Sequence, residues 1–216
     1  MSGVTFPLFE LLPEADRKLE MSKLKIERYP SGRVIYERGG DCLDAFFILE
    51  GRVRVDSCTA EGDTVFFHYR RPGTMIGWWA SVSGRAQPVT ATAADDVVLG
   101  RLLQKEFMDL VLGRRELSEW MLRFATTSLL NEANRIRYMT ILSAPKRVAA
   151  GLVEYANDSE TTVIEVPERV ELASRLGMTR ETLSRELSKL QKQGVIAFEG
   201  EKIRILDMKQ LTEAIW

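Results

Sequence analysis

Histidine occurs once in the chain, at His68, and cysteine twice, at Cys42 and Cys58. No Cys-x-x-Cys or paired-histidine spacing is present, and a zinc site of ordinary composition needs about four ligands. No Cys/His metal centre is expected. A thiol enzyme built on Cys42 or Cys58 with His68 would want an acid or base at short spacing to the cysteine, and none is there. In a reducing compartment both thiols stay free. Long apolar runs are also missing. Nothing approaches the roughly 20 residues of a membrane span, so no membrane partner is expected. Residues 1–18 lack the basic start and apolar stretch of a secretory signal, which makes the cytoplasm the expected compartment. Neither sign of charge dominates: 30 Lys and Arg stand against 31 Asp and Glu. Whole-chain charge therefore supplies no attraction to nucleic acid.

Local charge does. Arg175, Arg180, Arg185, Lys189 and Lys192 crowd into one short segment against only Glu181 and Glu186. A concentrated basic patch on a neutral protein fits a small, directed contact with phosphates.

From about Lys25 to Leu103, short apolar or alternating runs recur between glycines: Val34–Tyr36, Ala45–Leu49, Val53–Val55 and Val65–Tyr69. This spacing predicts a small antiparallel barrel or sandwich. From about Gln104 to Leu142 the period becomes helical, and glycine nearly vanishes after Gly113. Leu122, Ala125, Leu129, Ile136 and Met139 fall on one seam at spacings of three and four, with a gap at Glu132. Such a seam either packs on its own barrel or pairs with a second copy; the long unbroken run favours pairing. Ser143-Ala144-Pro145 marks a boundary. Lys146–Asn157 reads as another helix, with Val148, Leu152 and Tyr155 on one face, and Thr161–Val166 as a short strand.

Pro167 opens a short helix to about Leu176, and Gly177 suits a left-handed helix end. Thr179 is a good N-cap for a second helix, whose apolar face is Leu183, Leu187 and Leu190. Gly194 ends it. Val195–Phe198, a turn at Glu199-Gly200-Glu201 and Lys202–Ile205 read as a strand-turn-strand wing. Two short helices about a glycine turn, then a hairpin, make a winged helix-turn-helix whose second helix fits the major groove. On that helix Arg180 and Arg185 can donate to guanine and Glu181 can accept from cytosine. Ser184 can approach a base or a phosphate. Thr179 and Thr182 can meet phosphates at the helix start, and Ser188 and Lys192 extend the polar face. The bland alternative is that Glu181 and Arg185, four apart, merely pair on a solvated face.

The run from Leu172 to Arg185 closely resembles the helix-turn-helix of the CRP/FNR family, whose recognition helix carries Arg-Glu-Thr-x-x-Arg or Glu-x-x-Ser-Arg. Residues 180–185 satisfy both. The resemblance assigns base reading to Arg180, Glu181, Ser184 and Arg185. Gly32–Gly40 and Phe46–Val55 resemble the cyclic-nucleotide-binding-type β-roll, and order and spacing agree from about Phe9 to Leu206. The implied fold is α+β: an N-terminal antiparallel, jelly-roll-like β-roll (residues 1–113), a long dimerisation helix (114–142) and a C-terminal winged helix-turn-helix (143–216). The implied activity is non-enzymatic, sequence-specific transcription regulation. The implied partners are double-stranded DNA, a second copy of the chain and RNA polymerase. The cofactor and the small-molecule effector stay unnamed. A ligand-binding module whose helix-turn-helix contacts protein is the rival reading.

One segment departs from the family. Nucleotide-binding members begin their phosphate-binding segment with Gly-Glu and end it with Arg-Ser. Here Gly77 and Gly84 match, but Trp78 stands for the glutamate, and Gln87 and Pro88 for the arginine and serine. Pro88 also lacks a backbone donor. Glu132 and Ala133 stand where nucleotide-binding members present hydroxyls, and a buried glutamate there would repel a phosphate. The expected effector segment is Gly77, Trp78, Trp79, Arg85, Gln87, Pro88 and Glu132, and cyclic AMP is not expected in it. A register slip that brings Arg85 to the phosphate position keeps cyclic nucleotide as a lesser alternative. Trp78 and Trp79 suit either an apolar effector or rings that fill the space themselves. Iron–sulfur members carry an N-terminal cysteine cluster that is absent here. Haem-binding members use histidine or cysteine, for which only His68, Cys42 and Cys58 are available.

Overall fold

A computed structural model describes residues 4–58, 64–159, 162–165 and 169–215. The chain divides into two compact units, Met1–Thr127 and Ser128–Trp216.

In the first unit, α1 (Pro7–Glu10) and α2 (Glu14–Ser22) precede β1 (Lys25–Tyr29), β2 (Val34–Tyr36), β3 (Ala45–Glu50), β4 (Val53–Cys58), β5 (Thr64–Arg70) and β6 (Met75–Ile76). Then follow α3 (Trp78–Ser83), β7 (Thr90–Ala93), β8 (Val97–Leu102), α4 (Gln104–Leu112) and α5 (Arg115–Ile141), the last running on into the second unit. Two four-stranded antiparallel sheets, ordered β1-β8-β3-β6 and β2-β7-β4-β5, form the roll. β3 explains why its sequence is a continuous apolar run rather than an alternating one. Successive strand side chains point to opposite faces, and both faces of β3 are covered. Phe46 and Ile48 join Tyr36, Val53, Ala91 and Leu99 in one cluster. Ala45 and Phe47 join Phe6, Phe9, Phe107, Leu117 and Met121 in another.

The helical stretch expected from Gln104 to Leu142 is two helices. Gly113 caps α4, its N–H bonded to the Asp109 carbonyl at 2.9 Å, and α5 starts anew at Arg115. The break lets Leu110 and Val111 on one side and Leu117 and Met121 on the other reach the same core.

The second unit holds α6 (Ala144–Ser159), β9 (Val163–Glu165), α7 (Arg169–Arg175), α8 (Arg180–Lys192), β10 (Ile196–Glu199), β11 (Lys202–Ile205) and α9 (Met208–Glu213). β10, β11 and β9 form a small antiparallel sheet in that order. Val148, Leu152, Ile164, Leu172, Leu183, Leu187, Val195, Ile203 and Leu211 make its core. The expected apolar faces of α6 and α8 thus meet one another. Pro167, the expected opening of α7, lies outside the described residues.

Candidate DNA interface and effector segment

α7 ends at a turn that only a few backbones can make. Gly177 has φ of 63°, a left-handed conformation that glycine adopts without the Cβ penalty. Its N–H bonds the Ser174 carbonyl at 3.0 Å, and the Met178 N–H bonds the Ala173 carbonyl at 2.9 Å, closing the helix in a Schellman arrangement. Arg147 of α6 donates from Nη1 to the carbonyls of Leu176 and Gly177, at 3.1 and 2.7 Å, which ties the turn down. Thr179 then caps α8, its Oγ1 accepting from the Thr182 N–H at 3.2 Å.

α8 buries Leu183 and Leu187 and turns its other face outward. Thr179, Arg180, Glu181, Arg185, Ser188 and Lys192 are exposed, and Thr182 and Ser184 half-buried. The Ser188 hydroxyl donates to the Ser184 carbonyl at 2.8 Å. The Glu181 carboxyl is held below the usual range, chiefly by its own backbone N–H and then by the Thr179 hydroxyl. Arg185 bonds Glu186 through Nε at 3.3 Å; its ion pair is with that neighbour, not the i,i+4 pair with Glu181. Arg175, expected in the basic patch, is spent elsewhere. Its guanidinium lies over the Tyr155 ring at 4.6 Å from the centroid and bonds the Tyr155 hydroxyl at 2.9 Å, because it closes α7 against α6. Arg169, at the start of α7, lies 5.1 Å from the centre of the Phe198 ring on the wing, and its Nη1 reaches Ser184 Oγ at 3.4 Å. No periodicity or motif in the sequence singles it out.

In the first unit, α3 occupies the effector segment. Gly77 has φ of 77°, and a Cβ there would collide with the Asp44 carbonyl oxygen, so only glycine fits. Its N–H donates to the hydroxyl of Tyr36 at 3.2 Å. Burial pushes the Tyr36 hydroxyl well above its usual pKa, so it stays protonated. Gln87 is buried; its Nε2 donates to the Cys42 backbone carbonyl at 2.7 Å, and its backbone carbonyl accepts from the Gly39 N–H at 2.8 Å. Arg85 and Pro88 are exposed. Trp78 is 4% exposed and Trp79 37%. The two rings stack at 4.5 Å, Trp78 meets Phe124 of α5 edge-on at 5.0 Å, and Phe124 stacks on Trp120 at 4.9 Å. Glu132 lies on the part of α5 assigned to the second unit and is exposed in the single chain, against the expectation that it is buried. Past Ala125, no described residue of α5 joins a core cluster.

The seam on α5 is partly as expected. Leu122, Leu129 and Ile136 are 69%, 57% and 61% exposed. Ala125 instead packs half-buried beside Met121 and Phe124 on the core, since one helix face docks on the roll and Ala125 falls at its margin. The Met139 side chain lies outside the described residues. Cys42 is half-buried and unbridged, the Cys58 side chain is outside the described residues, and His68 is half-buried in β5 opposite Val55. Among the described residues, no cluster of His, Cys, Asp or Glu is placed to hold a metal, and no helix is long and apolar enough to cross a membrane.

Comparison with known proteins covers both halves. The cyclic nucleotide-binding domain family matches residues 26–113, and the Crp-like helix-turn-helix domain family matches residues 146–214. The chain belongs to the CRP/FNR family of transcription regulators. Its CRP/FNR relatives include the transcriptional regulator SdrP of Thermus thermophilus, 29% identical over 174 residues, or 78% of this chain and 82% of that one. The cyclic AMP receptor protein of the same organism is 24% identical over 208 residues, 96% of this chain and 95% of that one. A solved CooA mutant from Carboxydothermus hydrogenoformans shares the CRP/FNR fold, with a TM-score of 0.80 over 100% of this chain and 98% of that one at 19% identity. Transcription regulators of this family are not enzymes, and the chain carries the family's helix-turn-helix DNA-binding domain.

Proposed function

We propose that the regulator works in the cytoplasm as a homodimer that docks two copies of α8 in successive major grooves of an inverted-repeat site. In this reading residues 1–113 form the sensor or support, 114–142 the dimerisation helix and 143–216 the DNA-binding domain. The observation that carries it is the capped, outward-facing polar surface of α8 beside the wing, with Arg180, Glu181, Ser184 and Arg185 on it. Arg185 and Glu181 read opposite strands of one G·C pair, and Thr179, Thr182, Ser188 and Lys192, with Arg169, hold the backbone. The two recognition helices then sit about 34 Å apart, one turn of DNA. By resemblance to the CRP/FNR family, a half-site such as TTGA or TGTGA, with its guanine read by Arg185, is expected. Mobility shift with genomic fragments tests the reading: discrete complexes with particular fragments are expected, and indifference to sequence contradicts it.

Two substitutions separate the roles. Arg185→Ala is expected to cost about 1–3 kcal/mol per half-site and to relax selection at one guanine. Lys192→Ala is expected to weaken all duplexes alike and lower the salt slope by roughly 0.9 per lost phosphate contact. Titrations on matched and mismatched duplexes across a salt series read both.

Cyclic AMP does not control the regulator in this reading. A cyclic phosphate buried in a roll needs charged, bidentate partners, because an unpaired buried charge costs several kcal/mol. Here the Gly77 N–H is bonded to Tyr36 and one N–H of the neutral Gln87 amide to Cys42, while Trp78, in place of the glutamate that accepts from a ribose hydroxyl in nucleotide-binding members, can only donate. Pro88 offers no N–H at all. Calorimetric titration is expected to show no binding up to millimolar nucleotide. Sub-millimolar affinity with enhanced DNA binding contradicts this reading.

A further inference from the structure

Glu186 stands on the recognition helix with only 5% of its side chain exposed, between Arg185 at 64% and Lys189 at 55%. Its Oε1 accepts from Arg185 Nε at 3.3 Å and from Lys189 Nζ at 2.9 Å, and its Oε2 accepts from Lys189 Nζ at 3.0 Å. Burial works against ionisation of this carboxyl, but the hydrogen bonds from Lys189 and Arg185 outweigh it and hold the group below its usual range. A buried carboxylate is a costly choice for a position that an apolar side chain would fill. It also makes an unusual pair, because neighbours one apart on a helix do not ordinarily face each other. Arg185 therefore folds sideways along α8 to reach Glu186.

We infer that Glu186 is a positioning residue that sharpens DNA selectivity by fixing Arg185 and by masking Lys189. The inference rests on the proposed reading of guanine by Arg185. A guanidinium can engage a base through its Nε side or through its two terminal Nη groups. Glu186 occupies Nε, so the Nη pair is left to meet guanine O6 and N7 end-on. A side chain already held in one orientation loses less freedom when it binds. Lys189, neutralised by the same carboxylate, contributes less to the sequence-independent attraction that any phosphate backbone exerts. Glu186 thus raises specific binding and restrains non-specific binding at once.

The full-length protein is titrated against a specific duplex, a duplex with the Arg185-contacted guanine replaced, and a scrambled duplex, across a salt series. Glu186→Leu keeps similar volume without an acceptor. It is expected to lower the preference for guanine about tenfold, part of the discrimination of one bidentate pair. It is also expected to tighten scrambled-duplex binding and steepen the salt slope by roughly 0.9 per freed cation. Glu186→Gln keeps a neutral acceptor for Nε, so it should retain most of the guanine preference yet share the steeper slope. Should Glu186→Leu fail to fold, Glu186→Gln alone decides through its salt slope. Equal weakening on all three duplexes with an unchanged slope marks a purely structural role and overturns the inference. Arg185→Ala runs beside them. If it keeps the guanine preference, the reading of Arg185 falls and the inference with it. If it loses the preference while Glu186→Leu does not, only the role of Glu186 falls.

Discussion

Leu129→Asp is expected to convert the protein to a monomer at micromolar concentration and to abolish specific DNA binding in the same variant. Leu122, Leu129 and Ile136 are largely exposed apolar side chains on one seam of α5. Pairing with a second copy would remove them from water, each worth about 1.5–3 kcal/mol when fully buried. In a two-fold dimer every substitution enters twice. An aspartate at the centre of the seam loses that burial and sets a charge in apolar surroundings, at a cost of several kcal/mol per copy. A micromolar dimer is held by only about 8 kcal/mol, so the change dissociates it. DNA binding falls with it, because two linked half-site contacts gain roughly 10²–10⁴ in affinity over one. The melting midpoint measured on monomer should hardly move, since Leu129 joins no core cluster of its own chain. Sedimentation velocity and mobility shift read the two outcomes; a variant that stays dimeric places the interface elsewhere.

Trp78→Ala should lower stability by roughly 3–5 kcal/mol, the usual loss for a large aromatic removed from a core. The ring is buried among Phe47, Leu102 and Phe107 and links the stack on Trp79 to Phe124 and Trp120 on α5. If the rings simply fill the place that a ligand occupies in other members of the family, DNA affinity at saturating folded protein stays unchanged. Trp79→Ala, at a half-open site, should cost much less. Denaturant unfolding checks the stabilities, and a reporter assay in cells checks induction. A Trp78→Ala protein that melts normally but responds differently in cells has lost an effector site rather than a core ring.

The elements that were legible in the sequence are those whose signals are local. The strands around Val34–Tyr36 and Ala45–Glu50, the Gly177 turn, the Thr179 cap and the wing turn at Gly200 each depend on residues a few positions apart. The features of the effector segment that escaped depend on residues distant in the chain. Tyr36 satisfies Gly77 across 41 positions and Gln87 reaches Cys42 across 45, and neither pair leaves a periodic trace. The charges on α7 and α8 were visible in the sequence but not as a network. Arg175 turns to Tyr155, Arg169 reaches the wing, and Glu186 joins Arg185 to Lys189. Ala125 shows the limit of a heptad-like count: on a helix with one face docked on a roll and another open, a small side chain at the margin fits either pattern.

Selection of binding sites from a random duplex pool, run on wild type and on Arg185→Ala, tests the central claim most directly. Wild type should yield an inverted repeat with one strongly selected guanine in each half-site and half-site centres one helical turn apart. Arg185→Ala should keep the spacing and lose the selection at that guanine. A wild-type pool without a palindrome, or an Arg185→Ala profile identical to wild type, would contradict the assignment of α8 as the element that reads DNA.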